Sequence, residues 1–144
     1  MTTTVTTTAP TASAAAVLDL LERSRRSLLE ACQSRQVVER HQAARLGALR
    51  AAAALVAART THGGTTGPRS LWELLPVVAP ELAEWAQFFE LATVHPAGPG
   101  APGAREADDL LRQAETFLDL VRRTLGLPGA THHADLLLPT SAAP

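Results

Sequence analysis

The chain has 144 residues, 13 basic and 14 acidic side chains, and a formal net charge of −1, a size suited to one domain that buries an ordinary core without metals or disulfides. Its one cysteine, Cys32, excludes an internal disulfide and points to a reducing compartment. Residues 1–13 hold no basic side chain, so the charged start of a secretory or transit peptide is missing. Arginine or glutamate interrupts each apolar run before the roughly 18 to 20 residues that a membrane span requires; the expectation is a cytoplasmic protein without a membrane span.

Every basic residue is an arginine, and the charges are unevenly placed. Residues 1–69 carry nine arginines against Asp19, Glu22, Glu30 and Glu39, whereas residues 70–144 carry four against ten acids. Such a dipolar chain either binds an anion such as RNA on its arginine half, pairs its halves in a dimer, or displays the charges on solvated helix faces.

In chain order, residues 1–12 are of low complexity and read as a disordered tail, residues 13–126 as one helical domain, and residues 127–144 as a flexible C-terminal tail. A first helix is expected over residues 14–33, capped by Ser13, with Val17, Leu21, Ser24, Leu28 and Cys32 on its buried stripe. That placement makes Cys32 an inert core thiol rather than a nucleophile. A second helix over residues 36–59 has Val38, Ala48, Ala52, Leu55 and Val56 as its stripe, with small alanines that admit a close neighbour, and stops at His62-Gly63-Gly64.

Ser70-Leu71-Trp72-Glu73 forms a capping box that opens a short third helix. Pro76 is expected to interrupt it, and Pro80 to open the next run over residues 80–93, with Leu82, Trp85, Phe89 and Ala92 buried. Trp72 and Trp85 read as core anchors rather than base-stacking platforms. After a breaker-rich loop over residues 98–103, a last helix over residues 104–125 gathers Ala107, Leu110, Leu111, Ala114, Phe117, Leu118, Val121 and Leu125 on one face. Acids suit its start, Arg122 and Arg123 suit its end, and Gly126 and Pro128 stop it. No strand alternation intervenes, so the fold class is all-α, an up-and-down antiparallel bundle of four to five helices.

No glycine-rich phosphate loop, HExxH, CxxC or serine elbow is present. His132, His133 and Asp135 stand in a Pro-rich tail where solvation, not metal ligation, is the expectation. On the second helix, His41 and Arg45 fall within about 40° of each other, on the side of the apolar stripe. A cation there needs a partner: a carboxylate on a facing helix such as Glu115 or Asp108, a second subunit, or a bound phosphate.

Four stretches carry a family likeness: Leu46-Gly47-Ala48-Leu49-Arg50-Ala51-Ala52-Ala53, Ser70-Leu71-Trp72-Glu73-Leu74-Leu75, Ala79-Pro80-Glu81-Leu82-Ala83-Glu84-Trp85, and Arg105-Glu106-Ala107-Asp108-Asp109-Leu110-Leu111. With them the chain, over residues 18–125, resembles a family of small actinobacterial HEPN-domain proteins. The resemblance implies a helical bundle, often dimeric, within a superfamily that includes metal-independent RNA endonucleases and RNA- or nucleotide-binding partners in toxin and defence systems. Catalytic members carry an arginine, about four to six intervening residues and then a histidine, the pair meeting at a dimer cleft, with the arginine stabilising phosphate charge and the histidine moving a proton. Arg35 and His41 match that spacing, although the motif usually lies on a later helix and the last helix here has no histidine.

The leading expectation is a non-catalytic HEPN module, a homodimer that binds RNA or a nucleotide through Arg40, His41, Arg45 and Arg50 or serves another protein as a partner. The alternative is a metal-independent ribonuclease using Arg35 and His41. Neither calls for a cofactor or a metal.

Overall fold

The computed structural model describes residues 9–60, 70–94 and 100–128. Within them lie five α-helices, α1 (Ala9–Gln33), α2 (Val37–Arg59), α3 (Leu71–Val78), α4 (Ala83–Val94) and α5 (Ala104–Thr124), and one 3-10 turn, Pro80–Leu82. No strand occurs among the described residues, and the all-α bundle expected from the sequence is what forms. The His62-Gly63-Gly64 stop signal and the His132-His133-Asp135 group fall outside the described residues.

Helix α1 begins at Ala9, inside the segment expected to be a tail, so Ser13 lies within the helix and is not its N-cap. On its outer face, Asp19 pairs with Arg23 at 2.9 Å and Glu22 with Arg25 at 2.8 Å, spacings that support a solvated helix by a few tenths of a kcal/mol per pair (~0.2–0.5). Its inner face is Val17, Leu21, Ser24, Ser27, Leu28 and Ala31. Cys32 is exposed, not on the buried stripe, because the close α1–α2 seam turns the small side chains of Ser24, Ser27 and Ala31 inward.

That seam is tight because α2 offers Ala44, Gly47, Ala48 and Ala51, all buried. Ser24 Oγ donates to the Gly47 carbonyl at 2.7 Å, which satisfies a hydroxyl that would otherwise be buried at a cost of ~1–3 kcal/mol. Arg50 Nη1 donates to Ser27 Oγ at 2.7 Å and to the Arg23 carbonyl at 3.3 Å. Val38, expected on the buried stripe, is exposed: the face of α2 turned to α1 and α5 is the alanine face, and Val38 lies off it.

The capping box at Ser70 and Glu73 forms as expected. Pro76 does not interrupt α3, which continues to Val78. A proline removes one backbone donor but keeps a helical φ, and the Ala79 N–H closes the end on the Leu75 carbonyl at 2.8 Å. Arg59 Nη1 then ties the end of α2 to the α3–α4 corner through the Val78 carbonyl at 2.9 Å and Glu81 Oε1 at 2.8 Å.

Where α1 and α2 meet through small residues, α3, α4 and α5 meet through rings. Trp72 stacks on Phe89 at 5.2 Å, and Phe89 and Trp85 approach Phe117 at 5.1 and 5.7 Å. Both tryptophans are thus core anchors, each ring contact contributing about 0.5–1.5 kcal/mol beyond burial. The expected face of α5 is buried from Ala107 to Val121. The helix ends on Gly126, whose φ of +74° lets the Leu127 N–H return to the Arg122 carbonyl at 2.8 Å, a left-handed cap that glycine adopts without penalty.

These links fix the directions. Arg40 joins an early turn of α2 to an early turn of α5 through Asp108, and Arg59 joins the ends of α2 and α3. Helices α2, α3 and α5 therefore run one way and α1 and α4 the other, so that the four longer helices alternate in chain order. No helix among the described residues is long and apolar enough to cross a membrane.

Candidate functional site

The start of α2 gathers the side chains singled out in the sequence, but the structure gives them different neighbours. Arg40 is committed inside the fold: Nη1 bonds Asp108 Oδ1, while Nε and Nη2 donate to the Ser34 carbonyl at 3.3 and 3.0 Å. That carbonyl closes α1, so Arg40 holds the α1–α2 turn against α5. Arg50 is committed likewise, to α1.

His41 is 5% exposed and forms the floor of a groove of about 830 Å³ bounded by Phe88, Leu91 and Ala92 of α4, and by Arg105, Glu106, Asp109 and Leu110 of α5. Burial pushes its pKa below the ordinary value of 6.5, against the nearby Glu106 carboxylate and with the help of Arg45. The ring is therefore neutral at pH 7, with one donor and one acceptor to offer. Phe88 and Leu91, which wall this groove, are 44% and 54% exposed, a large apolar display for two adjacent turns of one helix.

Arg35 is exposed in the short connection before α2, whereas His41 is buried on the helix. The charges that act on the imidazole come from Glu106 and Arg45, and Arg35 lines no part of the groove.

Arg45 pairs with neither of the acids expected for it. Asp108 is taken by Arg40, and Glu115 Oε1 accepts from Cys32 Sγ at 3.5 Å. Arg45 Nε is buried without a hydrogen-bond partner; the same is true of Arg122 Nε, toward the far end of α5. Arg45 lines a second groove, of about 380 Å³, with Gln42, Leu46 and Leu49 of α2, Ser70, Leu71 and Trp72 around the start of α3, and Thr93 of α4. The exposed apolar residues Phe88 and Leu91 were missed in the sequence, because a helix carrying Trp85, Phe88, Phe89, Leu91 and Ala92 is apolar nearly all round and does not declare which side faces water.

Comparisons with curated proteins and with solved structures give no match. The family model of SAV_6107-like HEPN domains matches residues 31–122, from the end of α1 to the last turn of α5, and so takes in Arg35, His41, Arg45 and both grooves. The chain belongs to the SAV_6107-like HEPN family.

Proposed function

We propose that this protein is a non-catalytic HEPN module that acts as a homodimer, two copies meeting over the groove at His41. The observation that carries this reading is the pairing of a knob and a hole on one surface: Phe88 and Leu91 stand exposed beside an apolar groove floored by His41 and Leu110. A two-fold interface uses the same patch on both copies, so a patch with its own knob and hole is suited to self-pairing. At the rim, Arg105 and Asp109 offer opposite charges, which a two-fold pairing would set against each other.

The ribonuclease alternative needs Arg35 and His41 to converge on one phosphate, and the contrast between an exposed loop arginine and a buried histidine weighs against it. Binding of RNA or a nucleotide through Arg40 would require it to release its internal partners, and Arg50 already shares its Nη1 with α1. Sedimentation equilibrium of the wild type and of a Phe88→Glu, Leu91→Glu variant tests the proposal. A micromolar dimer that the variant converts to a folded monomer is expected. A wild type that stays monomeric at several hundred micromolar would refute it. Cleavage of an RNA pool in EDTA, lost in both Arg35→Ala and His41→Ala, would restore the enzyme.

A further inference from the structure

We infer that the groove between α2 and the α3–α4 pair receives an acidic amphipathic helix of a protein partner, with a carboxylate of that helix meeting Arg45. The inference rests on the reading of the protein as a binding module, but it concerns a surface other than the one at Phe88.

The outward side of α2 in its first four turns is an apolar ridge. Val38, Leu46 and Leu49 are 42%, 39% and 38% exposed, and on a helix they share one flank with Gln42 and Arg45. Gln42 and Leu46 line grooves on both sides of this ridge. The groove on the α3–α4 side holds Arg45, together with Leu49, Leu71 and Trp72. Val38, Leu46 and Leu49, at spacings of eight and three, form a one-sided apolar ridge beside a groove, and an incoming amphipathic helix packs against such a surface.

Charge selects the kind of helix. The Nε of Arg45 is buried and makes no hydrogen bond, and the two acids expected for this side chain, Asp108 and Glu115, bond Arg40 and Cys32. Arg35, exposed ahead of the same ridge, adds a second positive charge. A half-buried guanidinium without an ion pair among the described residues leaves its planar fork open, and a carboxylate fits that fork. A nucleic-acid backbone would also supply anions, but it would leave the exposed leucines uncovered, and it would meet Glu30 and Glu39 in the groove on the α1 side.

The test is selection of a displayed library of randomised helical peptides on the full-length protein, followed by fluorescence anisotropy of synthetic peptides made from the enriched sequences. Enriched peptides should share apolar residues at i, i+3 or i+4, and i+7 with one Asp or Glu. Arg45→Met should weaken the acidic peptide about tenfold or more and its Asn or Gln counterpart less than about twofold, as a coupled pair requires. Because the acid can be removed from the peptide alone, the comparison holds even if the protein variant is destabilised. A selection that enriches nothing, or peptides indifferent to Arg45, would overturn the inference. So would peptide binding lost in Phe88→Glu and kept in Arg45→Met, which would move the partner to the α4 surface and leave the module reading standing. Single-stranded RNA bound through Arg45, with no peptide bound, would assign the groove to nucleic acid instead.

Discussion

Replacing Gly47 by alanine sets two effects of opposite sign against each other. In an isolated helix the change would be favourable by about 1 kcal/mol. In this fold, a methyl group at position 47 would stand 2.4 Å from Leu28 Cδ2, 2.8 Å from Leu28 Cγ and 3.4 Å from the Ser24 carbonyl. Leu28 is buried, so its side chain has little room to swing away. Overpacking of this kind costs about 1–3 kcal/mol, and parting α1 from α2 would also strain the Ser24–Gly47 hydrogen bond, worth about 1 kcal/mol. The balance is a net loss of about 1–3 kcal/mol, a fall in Tm of roughly 4–12 °C for a chain of this length. Thermal and urea unfolding followed by circular dichroism measure it, and Leu28→Ala should cost less in the Gly47→Ala background than in the wild type. A Gly47→Ala protein as stable as the wild type, or more so, would refute the account of the α1–α2 seam.

Two further outcomes concern titrating groups. Burial holds the folded His41 below its ordinary pKa, so the unfolded chain takes up a proton first; stability should be level above about pH 6.5 and fall as the pH drops below it. His41→Gln should remove that part of the fall, and equal slopes of Tm against pH for the two proteins between about pH 6.5 and 5.5 would contradict the burial of the ring. Desolvation first, and then the hydrogen bond to Glu115, raise the pKa of the Cys32 thiol, so alkylation at mildly alkaline pH should be slow for an exposed cysteine and faster in Glu115→Gln. Identical rates in wild type and variant would show that Glu115 does not restrain the thiol.

How far the sequence announces this fold depends on how sharply each helix separates its faces. In α5, acids and arginines alternate with a continuous apolar face, and every residue from that face except the terminal Leu125 is buried. The Ser70–Glu73 capping box is equally plain, since its two side chains need only local geometry. Helix α2 is the opposite case. Alanine is at home on either side of a helix, so its run of alanines fixes the element and not the orientation, and Val38 was assigned to the wrong face. Cys32 was misplaced for a related reason: the α1–α2 seam selects small residues over large ones, and Ala31 takes the inward position that spacing alone assigned to its neighbour.

The site was legible as a location and not as a set of roles. His41 and Arg45 do share a side of α2, one flooring a groove and the other lining the next. Which arginine would be consumed by the fold was not legible, because it depends on Asp108 arriving beside Arg40 from a helix 68 positions away. Arg40 and Arg45 look alike in the sequence, and only the packing of α5 makes one a clamp and leaves the other open.

The most direct test of the central claim is the mass of the protein in solution, measured by sedimentation equilibrium on the wild type and on Leu91→Glu. A reversible dimer in the wild type and a helical monomer in the variant would agree with pairing over the His41 groove. A wild-type monomer at all concentrations, or a dimer untouched by a carboxylate at position 91, would contradict it.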